Sequence, residues 1–254
     1  MNDPKPKKHT MTSAPGAITA IDGREFDYFC GNGYYALQNH PDLISAAYNA
    51  MQHYGMGSAT SRAGFGNNPA LLDVEEKAAR FFRTESALYH ASGYLSNAIM
   101  LQGLRNDYDV IFVDEESHYS VMDGAAIARK PVVTFAHFSP DDLKLKLQST
   151  LKPGQRPLVI CDGIFPASGE IAPLCDYDAI LTNFDQALMC VDDAHAYGVI
   201  GERGRGTLEY CGVEGEGRYS SGTMSKAFGG YGGMITGSQA FIDRLKTGSN
   251  IPFS

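Results

Sequence analysis

Six short apolar runs alternate with helical stretches along most of the chain, and this alternation limits the folds open to it. Several runs are nearly continuous in apolar character, which is typical of strands buried on both faces. They are SALYHA, DVIFVD, PVVTFAH, PLVICDG, ALMCVDD and GGMITG. Helical stretches such as YLSNAIMLQGLR and PDDLKLKLQSTL separate several of them. This order predicts an α/β fold with a largely parallel sheet.

Two more amphipathic helices are predicted ahead of the first apolar run. NHPDLISAAYNAMQHYG has a capping candidate at Asn39 and a proline at position 41, which favours the first turn of a helix. Apolar residues then follow at helical spacing, at Leu43, Ile44, Ala47 and Met51. PALLDVEEKAARFFR has the same amphipathic character.

Charge and cysteine usage argue against several classes of function. The 254 residues have a net charge of −8, which argues against non-specific binding to nucleic acid or to an anionic membrane. The five cysteines are odd in number and form no C-x-x-C pair, which favours free thiols over disulfides or a zinc site. No segment approaches 18 apolar residues, so no membrane span is expected. We therefore expect a cytoplasmic protein with no metal site.

The apolar runs end in polar, chemically capable residues. These ends read HASGY, VDEESH, CDG, VDDAH and GTMSK. Because a ligand of an open α/β sheet binds at the carboxyl ends of its strands, we expect one site built from many strand ends. Taken alone, Asp192 and His195 are also compatible with a helix cap or a hydrogen-bonded core group. Because Lys226 lies at the end of another strand, we favour a catalytic role for Asp192 and His195.

Lys226 has an unusual sequence environment. Ser220, Ser221, Thr223 and Ser225 precede it, and four glycines follow within the next seven residues. Such a lysine suits a Schiff base with an aldehyde cofactor. A carboxylate would hold a pyridine ring protonated, which makes pyridoxal phosphate an electron sink. The hydroxyl groups, with the backbone N–H groups of Ser92, Gly93 and Tyr94 at a helix start, would receive the phosphate.

The motifs together resemble the α-oxoamine synthases. These are pyridoxal-phosphate enzymes that condense an amino acid with an acyl-CoA and release carbon dioxide. The resemblance extends from about residue 21 over nearly the whole chain, and each motif is weak alone. The matching segments are NGYYAL (32–37), YGMGSATSRAGFGN (54–67), SGYLSN (92–97), SHYSVMDG (117–124), SGEIAPL (168–174), VDDAHAYGVIGERGRG (191–206) and SGTMSKAFGGYGG (221–233).

The resemblance implies a role for each residue of the site. Lys226 would form the Schiff base and remove the α-proton, Asp192 would pair with the ring nitrogen, and His195 would bind the ring's phenolic oxygen. His118 would stack on the cofactor, while Thr223 would bind its phosphate.

Other parts of the site also have implied roles. Gly93 and Tyr94 match backbone contacts to the phosphate, and Asn32 falls in the segment that lines the substrate pocket. Ser58 to Arg62 resemble a loop near the interface of a homodimer.

The resemblance also implies an architecture. The expected fold is fold type I, the aspartate aminotransferase-like large domain, with a mostly parallel sheet flanked by helices. Residues 1–20 would be a mobile arm, residues 21–60 would line the substrate site, and residues 61–254 would form the cofactor domain. Family members have a further C-terminal domain that carries a carboxylate-binding arginine, so residues 1–254 alone are expected to turn over substrates poorly.

Three positions depart from the family pattern. Pro166 and Ser168 replace a serine and an aspartate of FSMDGD, and Tyr119 replaces a small residue. Proline has no hydroxyl or N–H to donate, so polar contacts from that position are lost. These changes put the identity of the substrate in doubt.

Three other interpretations compete. Another fold type I enzyme, an aminotransferase or a lyase, shares the aspartate and the lysine. An inactive partner subunit is a second alternative, although such subunits tend to lose the lysine. A dinucleotide-binding domain is rejected, because no G-x-G-x-x-G follows a strand and opens a helix.

Overall fold

The computed structural model describes residues 8–249 and 251. The strands are β1 (Ile18–Ile21), β2 (Arg24–Asp27), β3 (Ser86–His90), β4 (Val110–Asp114), β5 (Val132–Phe135), β6 (Pro157–Asp162), β7 (Leu188–Asp192), β8 (Arg218–Thr223) and β9 (Gly233–Gly237). The α-helices are α1 (Pro41–Tyr54), α2 (Pro69–Phe82), α3 (Ser96–Gly103), α4 (Tyr119–Ala128), α5 (Pro140–Thr150), α6 (Leu174–Leu181), α7 (Thr207–Cys211) and α8 (Gln239–Gly248).

Seven strands form the central sheet in the order β3-β9-β8-β7-β6-β4-β5. The five strands from β8 to β5 are parallel, and β9 is antiparallel to both of its neighbours. The expected fold class is therefore confirmed, and all six predicted apolar runs are strands of this sheet. The carboxyl ends of β3, β4, β6, β7 and β8 lie along one edge of the sheet.

Alternate residues of the central strands pack on opposite faces of the sheet. Ile111 and Val113 of β4 contact the cluster that contains side chains of α3, α4 and α8. Val110 and Phe112 contact the opposite cluster, which contains side chains of α5 and α6. Because both faces are covered, both sets of positions are apolar, and this explains the nearly continuous apolar runs.

The strand β8 is absent from the six apolar runs because its sequence, RYSSGT, is polar. Some hydroxyl groups of this strand have partners inside the fold: Ser220 Oγ lies 2.8 Å from the hydroxyl of Tyr197, and Thr223 Oγ1 donates to the Gly232 carbonyl. The buried Ser221 Oγ has no hydrogen-bond partner among the described residues. Hydrogen bonding therefore compensates for only part of the polar character of β8.

The helix α1 forms where predicted, but its cap differs from the prediction. Asn39 ends a short 3₁₀ turn, and His40 caps the helix by accepting a hydrogen bond from the Asp42 N–H at 3.3 Å. None of the α1 residues is buried. The described part of this chain therefore leaves the apolar stripe of α1 unburied.

The strands β1 and β2 form a hairpin that the sequence prediction missed. Its turn is Asp22-Gly23, and both residues have positive φ angles, 50° and 77°. An Asp-Gly pair between two short strands is a known hairpin signal. The boundary predicted at residue 20 falls within β1, and residues 1–7 of the predicted arm lie outside the described residues.

No helix in the described part of the chain is long and apolar enough to cross a membrane.

Candidate active site

A cavity of about 360 Å³ lies at the carboxyl edge of the sheet. All nine residues predicted for the site line it: Asn32, Ser92, Gly93, Tyr94, His118, Asp192, His195, Thr223 and Lys226. All except Asn32 end a strand or lie within four residues after one. They meet because the carboxyl ends of parallel strands lie at one edge of the sheet. The fold therefore brings together residues that are up to 194 positions apart in the sequence, from Asn32 to Lys226.

Lys226 is connected to His195 and, through it, to Tyr34. The lysine Nζ lies 2.7 Å from His195 Nε2, and the Tyr34 hydroxyl lies 2.7 Å from His195 Nδ1. Burial, and then the neighbouring charges of Lys226 and His118, lower the pKa of His195 to about 4. Burial also lowers the pKa of Lys226, although Asp192 and Asp162 oppose this effect. The imidazole is therefore neutral at pH 7, and the lysine loses its proton more readily than an exposed lysine does.

Asp192 is 5% exposed and is held from both sides. Its Oδ2 accepts a hydrogen bond from Asn97 Nδ2 at 2.6 Å and one from Ser120 Oγ at 3.4 Å. Its Oδ1 accepts from the backbone N–H of Ala194 at 3.0 Å. These donors stabilise a carboxylate at the floor of the cavity. Asn97 and Ser120 were missed by the sequence prediction.

Asp162 is a second buried acid in the cavity. It is the register partner of Asp192 on the adjacent strand. Burial and the charge of Asp192 raise the pKa of Asp162 to about 8. Its Oδ2 accepts a hydrogen bond from the backbone N–H of His118 at 2.7 Å, which fixes the start of α4. The CDG ending of its strand was the only sequence signal for this residue.

The backbone around Gly93 approaches β8 closely. A Cβ atom at Gly93 would lie 2.7 Å from Thr223 Cβ and 2.9 Å from its Oγ1. The Thr223 hydroxyl donates to the carbonyl of Gly232 at 3.0 Å and lies 2.7 Å from Ser225 Oγ. Ser92, Gly93, Thr223 and Ser225 thus form a small cradle of hydroxyl and backbone groups, which we call the Gly93 cradle. Ser220, also predicted as a phosphate hydroxyl, is outside it, because it pairs with Tyr197.

We expect Gly93→Ala to destabilise the protein and to weaken binding of any phosphate in the Gly93 cradle. The added methyl group would overlap Thr223, and overpacking of this kind costs about 1–3 kcal/mol. The matched control is Gly57→Ala, because a Cβ there meets nothing within 4 Å. Urea unfolding and binding of inorganic phosphate would be measured for both variants. Equal results for the two variants would contradict the close contact.

The residues that depart from the family pattern lie in different places. Pro166 lines the cavity, so the predicted loss of a polar group affects the site directly. Ser168 is not among the lining residues, and its Oγ accepts a hydrogen bond from the Glu170 N–H at 3.3 Å. Tyr119 is 80% exposed at the start of α4.

The segment that contains Asn32 contacts the loop that carries the lysine. Gln38 Nε2 donates to the Lys226 carbonyl at 2.8 Å, and the Tyr35 hydroxyl donates to the Gly198 carbonyl at 2.6 Å. These two contacts hold residues 32–38 beside the cavity. A second cavity, of about 500 Å³, lies between this segment and the β1–β2 region and also reaches Lys226.

Arg62 lies outside the candidate site. Its guanidinium group binds both carboxylate oxygens of Glu75, at 2.8 and 3.0 Å, and also the Tyr89 carbonyl and Asn67 Oδ1. Glu75 in turn accepts from the Tyr89 N–H at 2.9 Å. The side chains of Arg62 and Glu75 are 13% and 12% exposed. Arg62 therefore ties its loop to α2 and β3, and these contacts occupy its guanidinium group.

We expect Arg62→Ala to lower the free energy of unfolding by about 3–5 kcal/mol, because it leaves the buried charge of Glu75 without its partner. The control is Arg80→Ala, whose i,i+4 pair with Glu76 is about two-thirds exposed. Pairs of that kind contribute about 0.3–0.5 kcal/mol. Urea unfolding of both variants would be compared, and similar losses would show that the Arg62 pair is no more important than a surface pair.

Among residues 8–249 and 251, no group of three or more His, Cys, Asp or Glu side chains is arranged to hold a metal ion.

The sheet order and the lysine, aspartate and histidine at its carboxyl edge define the fold type I class of transferases. The chain belongs to the aminotransferase class I and II family, whose model matches residues 28–251.

Three proteins show where within that family the similarity lies. The chain is 40% identical over 236 residues to a putative 8-amino-7-oxononanoate synthase of Bacillus subtilis subsp. natto, covering 93% of this chain and 62% of that protein. Serine palmitoyltransferase of Sphingomonas wittichii superposes with a TM-score of 0.90 at 30% identity, covering 100% of this chain and 63% of its own. A solved structure of SPT with PLP superposes with a TM-score of 0.87 at 27% identity, and the match covers 96% of this chain and 63% of that chain.

These similarities confirm the resemblance to the α-oxoamine synthases. The chain spans about three fifths of the length of these proteins.

Proposed function

We propose that this chain binds pyridoxal 5′-phosphate on Lys226 and serves the condensation of an amino acid with an acyl-CoA, with release of carbon dioxide. One observation carries the proposal. The Lys226 amine, the buried Asp192 carboxylate and the Gly93 cradle all line one cavity at the strand ends. The similarity to 8-amino-7-oxononanoate synthase and to serine palmitoyltransferase supports the same class of reaction.

The residues of the cavity fit the parts of this cofactor. The Gly93 cradle, with Tyr94, contains hydroxyl and N–H groups of the kind that bind a phosphate. Two of these donors, the Thr223 hydroxyl and the Tyr94 N–H, would have to exchange their contacts with the Gly232 carbonyl and Ser92 Oγ for the phosphate. Asp192 offers a negative charge at the buried end of the cavity, where a pyridine nitrogen needs one. When bound, pyridoxal phosphate supplies an electron sink for the carbanion formed at the amino acid's α-carbon.

The side chains have separate roles in the proposed reaction. Lys226 would hold the cofactor covalently and, once the substrate's amine has displaced it from the cofactor, its free amine would take up the α-proton, which its lowered pKa favours. His118 would cover one face of the cofactor, and His195 would bind its phenolic oxygen. Asn32, from the segment beside the cavity, contacts the substrate.

A product assay tests this function. The protein, loaded with pyridoxal phosphate, would be incubated with glycine, alanine or serine against a panel of acyl-CoAs, and free CoA and carbon dioxide would be measured. Release of both in equal amounts, at whatever rate, supports the condensation. Formation of a keto acid without release of CoA would instead indicate an aminotransferase.

We also propose that the protein works as a homodimer in the cytoplasm. The apolar stripe on α1 supports the dimer, because Leu43, Ile44, Tyr48 and Met51 are 40% to 58% exposed. Exposed apolar patches of this kind are typical of interfaces. The five cysteines are all free, which supports a reducing compartment.

We expect Ile44→Glu to convert a dimer into a monomer, because it places a charge in the apolar stripe of α1. The control is Leu145→Glu, at a leucine of α5 that is 60% exposed. Light scattering would give the mass of each variant and of the parent chain. A monomeric parent chain, or a dimer that survives Ile44→Glu, would contradict this interface.

A further inference from the structure

Tyr34 occupies a position in the candidate site to which the sequence assigned no role. Its hydroxyl lies 2.7 Å from His195 Nδ1, while Lys226 Nζ lies 2.7 Å from Nε2 of the same ring. Both nitrogens of His195 are therefore engaged, one by a residue of the N-terminal segment and one by the lysine. Tyr34 and Lys226 are 192 positions apart in the sequence.

The two contacts together select one tautomer of the imidazole. A neutral imidazole has one N–H group and one bare nitrogen. An ammonium group has only donors, so a protonated Lys226 needs a bare Nε2 as its acceptor. The ring proton must then be on Nδ1, and it is donated to the Tyr34 oxygen.

We propose that Tyr34 is a positioning residue that, while Lys226 is protonated, accepts the ring proton of His195 at Nδ1 and so leaves Nε2 directed, as a bare acceptor, at the Lys226 amine. Burial raises the pKa of Tyr34, so the phenol keeps its proton and its oxygen remains a neutral acceptor. The low pKa of His195 keeps the ring neutral.

A hydroxyl group can also reverse this bond, unlike a carbonyl group. By rotating its O–H, Tyr34 can donate to a bare Nδ1, and His195 then carries its proton on Nε2. His195 can therefore offer either an acceptor or a donor to the cavity without moving. This consequence rests on the proposed function, in which Nε2 faces a free lysine in one state and a ligand oxygen in another.

The structure offers a matched pair of variants for the test. Tyr34→Phe removes the hydroxyl that contacts His195, whereas Tyr35→Phe removes the adjacent hydroxyl, which donates to the Gly198 carbonyl at 2.6 Å. Each variant deletes one hydrogen bond from the same segment and keeps the ring. A general loosening of the segment would affect the two variants alike.

The readout is ¹⁵N NMR of histidine-labelled protein without added cofactor, at a pH where Lys226 is protonated. We expect the parent chain and Tyr35→Phe to show a protonated Nδ1 and a bare Nε2 at His195. In Tyr34→Phe we expect the ratio of the two tautomers to shift towards Nε2–H by about fivefold, the equivalent of one ordinary hydrogen bond. Thermal unfolding of both variants controls for folding.

Two outcomes would overturn the proposal. One is a parent chain in which His195 carries its proton on Nε2, and the other is a Tyr34→Phe variant with unchanged shifts. A parent chain with the expected tautomer that takes up no pyridoxal phosphate would support the assignment to Tyr34 and would contradict the proposed function.

Discussion

Lys226→Ala is expected to abolish the covalent attachment of pyridoxal phosphate, because Lys226 is the only lysine among the described residues that lines the cavity. In the parent chain, borohydride reduction should fix the mass of the cofactor on the peptide that contains residue 226. In the variant, the visible absorbance band of the attached cofactor and the reduced adduct should both be absent. Absorbance spectra and peptide mass spectrometry would be recorded for both proteins.

The control for this experiment is Lys77→Ala. Lys77 lies on α2, its side chain is 65% exposed, and it pairs with Asp73 at 2.6 Å. This variant should take up the cofactor like the parent chain. A reducible adduct that remained in Lys226→Ala would assign the attachment to another residue and would remove the central observation of the proposed function.

The pH dependence of attachment provides a second measurement on the same residue. Only the free amine attacks an aldehyde, so the rate of attachment should rise with pH until Lys226 has lost its proton. Burial lowers the pKa of Lys226 from its ordinary value of 10.5. The midpoint of the rate profile should therefore lie below pH 10.5, and a midpoint above that value would contradict the effect of burial.

The fold was predictable because its strands are buried on both faces. The apolar runs of β4, β6 and β7 lack the alternation of a half-exposed strand, and only a sheet covered on both sides explains such runs. The grouping of the nine candidate residues around one cavity was predictable for a related reason. They follow strands or occur in motifs of the family, and the parallel topology brings the strand ends together.

The missed residues depend on distances between elements, which a single sequence does not contain. Asp162 meets Asp192 through the register of β6 with β7. Asn97 reaches Asp192 because α3 packs against β7, β8 and β9. It ends the SGYLSN motif, but Ser96 and Gln102 are polar residues of the same helix, so the sequence alone did not single it out. Tyr34 reaches His195 only through the packing of the N-terminal segment. The cap of α1 was misplaced by one residue because Asn39 is taken up by a 3₁₀ turn.

Asp192→Asn is expected to slow the removal of the amino acid's α-proton by about 10²- to 10⁴-fold. The variant keeps the shape of the side chain but loses its negative charge, and removing one charge of a buried pair costs about 3–5 kcal/mol. Asn97 can turn its amide to pair with the new side chain, because its own Oδ1 has no hydrogen-bond partner among the described residues. The rate would be measured by NMR as exchange of the α-hydrogens of glycine with deuterated solvent.

Asp162→Asn is the matched control, because the two carboxyl groups are register partners in one cavity. With a pKa of about 8, Asp162 is mostly neutral at pH 7, so replacing it with a neutral amide changes the charge of the cavity little. The amide oxygen introduced by Asp162→Asn could still accept the hydrogen bond from the His118 N–H. We therefore expect an exchange rate close to that of the parent chain.

The same control has a measurable effect on stability. Because the pKa of Asp162 is raised on folding from its ordinary value of 3.8 to about 8, the folded protein binds more protons than the unfolded chain between these pH values. The free energy of unfolding then falls as pH rises through this window, and Asp162→Asn should remove that part of the slope. If Asp162→Asn instead slowed exchange as much as Asp192→Asn, the charge facing the ring nitrogen would belong to Asp162, and the proposed roles of the two acids would have to be exchanged.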